Sequence, residues 1–478
     1  MGELSSPDVM FDAATGRSRP GARGRVHPGR RAGRPYDAPM VAAPPRPVRR
    51  PGTAFALAVA AAAPGVFLHL AGIHPEPVTA AATFGLAVVG AAFMLAWAAE
   101  ASQVDISAGL ALALLALVAV LPEYAVDFVF TWKAGKRPAE FAPDALANMT
   151  GGNQLLIGAG WSLVVLVGAY RIRQSRRGRE LRNVREVPAS TEVELERANS
   201  VAIAFLLIAT LYGLTLPLHR TLTLIDAVIL VTIFVVYMVR VARAPAGTPH
   251  LVGPARTIGT MSTARRRAAV AALFGTAIVT ILVCAEPFAE SLVDTGRKFA
   301  IDDFVLISLI APLASEAPEL LIAGMFAWRL DANAGLGALV SSKVNQWTLL
   351  VGTLPIVFAI SSGGLHGLPI DAVQREELFV TAAQSAFAVA VLANRRISVR
   401  EAGILLGVWL VQLFTKLPLF ESVHAEARIG IGLLYLALAA VIVWRQRAHF
   451  RPLLHDGLVV PVATLAAGAD PEALDAGE

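Results

Sequence analysis

Four acidic side chains stand inside stretches that are otherwise apolar. Glu123 lies well within residues 106–131 with Asp127 one turn later, and Glu319 lies within 302–329 with Glu316 one turn earlier. On a helix, residues three or four apart share a face, so each stretch aims two carboxyl groups in one direction. An ionised carboxylate in hydrocarbon costs about 2.5–3.5 kcal/mol on insertion scales, and is tolerated where it faces a cavity, binds a cation or takes up a proton. Those are also the states a cation exchanger passes through. A protonated acid closing a helix–helix hydrogen bond is the alternative, and it stays open above all for Asp127 and Glu316.

Pro122 and Pro318 directly precede the two glutamates. Proline removes a backbone donor and frees a carbonyl one turn earlier, here those of Val118 and Ala314, and a hard cation takes such oxygens. Asn153 and Gln154 occupy the next apolar stretch of the first half, Asn345 and Gln346 that of the second. Their carbonyls can complete a cation shell and their NH₂ groups can hold the glutamates. We read Gln154 and Gln346 as coordinating, with Asn153 and Asn345 open between coordination and packing. Asn148, Thr150, Gly151 and Gly152 precede one pair, and Ser341 and Ser342 the other; small residues there also allow close helix crossing. Lys343 is unexpected at this depth. It either snorkels to the surface or pairs with Glu316 or Glu319 in place of a bound cation. Glu286 and Glu290 read as interfacial acids at the outer end of their stretch.

The elements that must position these groups are membrane helices. Hydrophobic residues make up 55% of the 478, charged ones only 16%, and mean hydropathy is +0.60; a soluble chain carries about 25% charge. About twelve apolar segments each approach the ~20 residues needed to cross hydrocarbon: 53–74, 78–99, 106–131, 143–170, 200–218, 222–243, 267–290, 302–329, 334–360, 377–394, 398–419 and 428–445. Backbone amides in lipid must pair within the segment, which makes these helices. Residues 1–52 read as a disordered basic cytoplasmic tail, with a signal peptide or a later start at Met40 as alternatives, and 446–478 as a cytoplasmic tail. The net charge of +5 comes from arginines beside the spans, so it orients the chain in a bilayer and does not indicate nucleic acid. A single cysteine, Cys284, excludes an intrachain disulfide or thiolate cluster. None of the nine histidines forms an HExxH motif, and no GxSxG or Walker-type loop occurs, so an embedded enzyme lacks its machinery.

The chain repeats itself. Pro122-Glu123 with Phe130, Trp132 and Lys133 recurs as Pro318-Glu319 with Phe326, Trp328 and Arg329, 196 residues on. Asn153-Gln154 recurs as Asn345-Gln346, 192 residues on. With twelve spans and both termini in the cytoplasm, the arginine clusters at 171–185, 240–267, 395–396 and 445–447 all face inside; Lys133, Lys136 and Arg137 do not. The first Pro-Glu helix then runs outward and the second inward. The expected fold is an all-α polytopic membrane protein of two inverted five-helix repeats, 78–243 and 267–419, with one extra helix at each end, 53–74 and 428–445. Such repeats place a shared site near the midplane.

These paired motifs, Leu121–Gly158 and Ser315–Gly352, resemble the repeats of the cation/calcium exchanger superfamily. The resemblance implies a ten-helix core in which Glu123 and Glu319 are the metal-binding pair, joined by Gln154 and Gln346 or, alternatively, Asn153 and Asn345. It implies secondary antiport of Ca2+ or Na+ against Na+ or H+, with no cofactor beyond the transported ions. The usual Gly-Ser-Asn stretch is altered in both halves, and Lys343 lowers the negative charge, which keeps a monovalent Na+/H+ exchanger as the rival. A purely structural membrane protein would leave the two buried Pro-Glu motifs without a role. The expected partners are the lipid bilayer and inorganic cations; monomer and homodimer both remain open. The Arg/Ala/Gly bias suggests a bacterial plasma membrane.

Overall fold

The computed structural model describes residues 51–105, 121–177, 191–243, 251, 253–299, 303–416 and 424–467. Most of the predicted N-terminal tail, residues 106–120 of the third predicted span (with Val118), part of the 171–185 arginine loop and residues 468–478 lie outside the described residues.

The described chain is mostly helical. Helices α1 (Pro51–Leu70), α2 (Pro77–Ser102), α3 (Leu121–Lys136) and α4 (Pro138–Leu155) are followed, through a π-turn at Leu156–Trp161, by α5 (Ser162–Arg177). Then come α6 (Ser200–Gly213), α7 (Leu224–Val241), the short α8 (Gly253–Gly259), α9 (Thr263–Phe299) and α10 (Asp303–Trp328). Helix α11 (Ala332–Asn345) passes through a second π-turn, Gln346–Leu350, into α12 (Val351–Ser362). The last four are α13 (Ala372–Val391), α14 (Val399–Phe414), α15 (His424–Leu458) and α16 (Val462–Ala467). Two antiparallel bridges of two residues per strand tie connecting segments together: β1 (Val193–Glu194) to β4 (Arg396–Ile397), and β2 (Thr221–Leu222) to β3 (Leu368–Pro369).

The starts of these helices follow from local chemistry. Pro77 and Pro138 stand in the first turn, where the missing N–H has no intrahelical partner to lose. Thr223 with Asp226 and Ser398 with Glu401 form capping boxes for α7 and α14, and Asp331 and Asp371 cap α11 and α13.

Among the described residues each predicted span overlaps a helix. Among the described residues nine helical stretches are long and apolar enough to cross a membrane, and the bent pair within α10 makes ten. Helix α14 has 16 residues, short of the ~20 a crossing requires. Two helices overrun their predicted ends: α9 has 37 residues and α15 has 35. Residues 446–467, read from sequence as part of a tail, largely continue α15 and form α16.

α10 bends by 56° between Leu306–Ala317 and Glu319–Trp328. The break falls at Pro318, where no N–H is available to continue the ladder. Helix α3 ends at Lys136, whereas α10 ends at Trp328. Measured from Glu123 and Glu319, α3 therefore runs about one turn further, roughly 6 Å. That extra turn, with a linker two residues shorter and a stretch of α4 two residues longer before the amide pair, gives the fall in repeat offset from 196 to 192.

Packing divides the apolar interior in two. A smaller core joins α1, α2, α8 and α9 through Ala58, Met94, Trp97, Ile258 and Ile281. Gly90 permits the α1–α2 approach, since a Cβ there would lie 2.5 Å from the Ala58 carbonyl oxygen. Ion pairs link α2 and α9 at both ends. Arg266 donates to both oxygens of Asp105 at 2.7 Å, just beyond α2, and Lys298 pairs with Glu76 just before it. The larger core holds the remaining helices and also takes in α2 and α9, through Phe84 and Phe288 among others. There α15 packs on α13, with Tyr435 against Phe387 and Arg428 bonded to Glu376 at 2.8 Å. Beyond it, the buried Asp456 accepts from Arg197 at 2.7 and 2.8 Å and from Arg395 at 3.2 Å. Arg240 donates to the carbonyl oxygens of Asp456, Gly457 and Val460.

Candidate cation site

Helices α3, α4, α10 and α11 assemble the predicted residues. Two glycines let them approach. A Cβ on Gly151 of α4 would lie 2.0 Å from the Ser308 carbonyl oxygen of α10, and one on Gly152 would lie 2.6 Å from Glu123 Oε1. Glycine at the first position allows the backbones to cross closely, and at the second it leaves room for a carboxyl group.

At the centre, Gln346 joins the two halves of the chain. Its Nε2 donates to Glu316 Oε1 at 2.6 Å and to Glu123 Oε2 at 3.1 Å. All three residues are buried. Glu123 Oε1, Glu316 Oε2 and Gln346 Oε1 each lack a hydrogen-bond partner. Buried oxygens in this condition are rare in folded proteins and ask for a ligand, a water or a proton. Glu319, one turn from Glu316, is less buried and accepts from Ser342 Oγ at 2.7 Å. Asp127, one turn from Glu123, accepts from Asn148 Nδ2 at 2.7 Å, leaving Asp127 Oδ2 and Asn148 Oδ1 without partners. Tyr124 donates to Asn345 Oδ1 at 3.1 Å.

The four amides behave differently in the two halves. Asn153 Nδ2 is spent on the Met149 carbonyl at 2.8 Å, one turn back along α4. Gln154 points away from Glu123: its Nε2 donates to Glu377 at 2.9 Å and to Thr381 at 2.8 Å, both on α13. Ser341 bonds Tyr237 of α7 at 2.8 Å. Lys343 does not snorkel. It is fully buried, and its Nζ donates to the Asn153 carbonyl O and Oδ1. Glu286 and Glu290 are exposed and flank Lys133 at 3.7 and 2.7 Å, away from the buried acids.

A second buried cluster was missed from sequence. Lys416 Nζ lies 3.1 Å from Glu377 Oε2 and 3.3 Å from Gln154 Oε1. Gln384 Nε2 reaches the Gln154 carbonyl O and Tyr435 Oη, both at 3.4 Å. A cavity of about 10 Å³ beside this cluster is lined in part by Ser308, Gln154, Gln412 and Lys416, room for about one water. The signal lay in Glu377, Thr381 and Gln384, whose spacing puts one polar stripe on α13.

Both amide pairs stand at the start of a π-turn, Leu156–Trp161 and Gln346–Leu350. Such turns widen the helix by one residue and recur at functional sites. Among the described residues no group of three or more His, Cys, Asp or Glu side chains forms a metal cluster. The donor set is mixed instead, pairing carboxylates with amide oxygens, as suits a hard cation.

The crystal structure of the H+/Ca2+ exchanger CAX is similar to this chain, with a TM-score of 0.77 and 38% identity over 88% of this chain and 99% of CAX. The Ca2+/H+ antiporter protein YfkE shares the fold at 14% identity, with a TM-score of 0.55 over 76% of this chain and 99% of its own. No curated protein matches. A family model described as sodium/calcium exchanger protein matches residues 77–242 and 269–417. That match spans more than half of the sequence, and the chain belongs to the sodium/calcium exchanger protein family.

Proposed function

We propose that the protein is a secondary cation antiporter that exchanges Ca2+ for H+ by alternating access. The observation that carries this reading is the Gln346 amide held between Glu123 and Glu316, with an open oxygen left on each of the three. A divalent ion bound there takes both carboxylates, and protons compete for the same oxygens. One site facing two sides in turn couples opposing fluxes through that competition. The similarity to CAX supports calcium and protons as the pair. Glu319, held by Ser342, and Asp127, held by Asn148, supply further acid on the same helix faces. Asn345 completes the second-half amide pair.

The wider arrangement belongs to this proposal. Two inverted five-helix repeats and twelve spans with both termini in the cytoplasm account for the basic clusters. A bacterial plasma membrane is the proposed location. Helices α2 and α9, the first of each repeat, are the proposed moving elements, and their paired ends support motion as one body.

A second reading rests on Lys343. A buried ammonium beside the acids lowers the site's negative charge, which favours a monovalent ion and hence Na+/H+ exchange. Purified protein in proteoliposomes separates the two. A pH gradient is expected to drive uptake of radiolabelled calcium, and Glu123→Gln to abolish it. Sodium movement under the same gradient without calcium uptake would establish the second reading. Full calcium transport by Glu123→Gln would remove the carboxylate site altogether.

A further inference from the structure

Lys343 has the surroundings of a bound ion. It sits on α11 between Ser342, which holds Glu319, and Gln346, which joins Glu123 to Glu316. Its side chain is 0% exposed. The Nζ donates to the Asn153 carbonyl O at 3.1 Å and to Oδ1 at 2.5 Å, and lies 4.8 Å from the centre of the Trp347 ring. A carbonyl oxygen, an amide oxygen and an aromatic face are the groups that hold a dehydrated monovalent cation.

The rest of the amide set fits this picture. Three oxygens of Asn153 and Gln154 each accept a hydrogen bond from a lysine: Asn153 O and Oδ1 from Lys343, and Gln154 Oε1 from Lys416. In the second half Gln346 Oε1 has no partner. The first-half amides are thus already engaged by cations belonging to the chain, while the second-half amide faces the acids with an open oxygen.

We propose that Lys343 is a tethered cation. Its ammonium fills a position that a mobile monovalent ion would otherwise occupy, so the protein binds one monovalent ion fewer than its oxygens could hold. The inference rests on the cation-site reading of Glu123 and Glu316. It sets the ion count of the cycle, which that reading does not address.

Removing the tether should open the position. Lys343→Ala leaves the Asn153 oxygens and the Trp347 face without their cation, and Lys343→Met removes the charge while nearly keeping the volume. Purified Lys343→Ala in detergent is expected to bind one more radiolabelled Na+ per chain than the parent. Its melting temperature should rise with added Na+ or methylammonium by more than the parent's does. Lys343→Met should show neither effect, because its side chain still blocks the space. Equal Na+ binding by Lys343→Ala and the parent, or a melting temperature that responds to neither ion beyond the parent's response, overturns the proposal even if the variant is inactive. Glu123→Gln keeps the two ideas apart. If it abolishes calcium binding while Lys343→Ala gains no Na+, only the tether fails; if it binds calcium as the parent does, the underlying site reading fails.

Discussion

The smallest residues in the site carry much of its geometry. Gly152 stands where a single methyl would meet Glu123 Oε1 at 2.6 Å, closer than real Cβ contacts allow. The Glu123 side chain has rotamers to retreat into, so the helices should stay assembled while the carboxyl leaves its place beside Gln346. Gly152→Ala is therefore expected to fold with near-parent melting and to lose roughly tenfold or more in calcium affinity, since a hydrogen bond to a charged group contributes about 1.5–3 kcal/mol. Gly151→Ala behaves differently. There the obstacle is the Ser308 carbonyl, which is backbone and cannot swing aside. That variant should lose stability by about 1–3 kcal/mol, read as a lower melting temperature in detergent. Equal stability of the two variants would show that the α4–α10 crossing is looser than described.

The buried acids of the Pro-Glu helices were legible because an ionisable group in an apolar run has few explanations. Glu377 was not, although it is equally buried. It follows Gln374, Arg375 and Glu376, a polar run that reads as a helix end at the interface. Only the packing of α4 and Lys416 over that end encloses it. The sequence also treats Asn153-Gln154 and Asn345-Gln346 as equivalents. Their side chains part company because Glu377 draws Gln154 one way, while Glu316, which has Val120 at the matching position of the first half, draws Gln346 the other.

Among the elements, α1 and α15 looked alike from sequence, one extra helix at each end. They pack on different partners. α1 packs with α2 and α9 in the smaller core, whereas α15 packs with α6 and α13 in the larger one. The Arg266–Asp105 pair fastens α2 to α9 at one end. Hydrogen bonds from Arg266, with the guanidinium charge beside them, hold the Asp105 carboxyl below the usual carboxylate range. A depressed acid stabilises the fold at neutral pH, and the contribution disappears as pH falls through the folded value. Asp105→Asn should accordingly cost about 1 kcal/mol at neutral pH. The gap from the parent should close only in acid below the ordinary carboxylate range, as melting curves across pH would show. A gap that closes near pH 6 would mean that some other group is titrating.

At the scale of the whole molecule, the end of α15 acts as a buried anchor for three separate connections. Asp456 receives Arg197 and Arg395, and the carbonyls around it receive Arg240. The basic run Arg445-Gln446-Arg447 reads from sequence as the edge of the bilayer, yet a helix need not stop where lipid stops, so the continuation to Leu458 was hidden. Asp456→Asn keeps the shape and removes the charge. Its cost should fall between the values for exposed and buried ion pairs, about 2 kcal/mol. Transport measured below the melting transition should be unchanged, and a lost flux in a stable variant would place Asp456 in the cycle instead.

The extra turn of α3 has a consequence for the exchange itself. On the proposed inverted arrangement, that turn lengthens one approach by roughly 6 Å and has no counterpart on the other. Lys133, matched by Arg329 in the second half, lies at its start against Glu286 and Glu290, and those two acids add negative charge to the longer approach. Ions arriving from the two sides therefore meet unequal resistance before they reach the same carboxylates. A carrier built this way is a rectifier: at equal gradients its forward and reverse turnover differ, although its equilibrium does not.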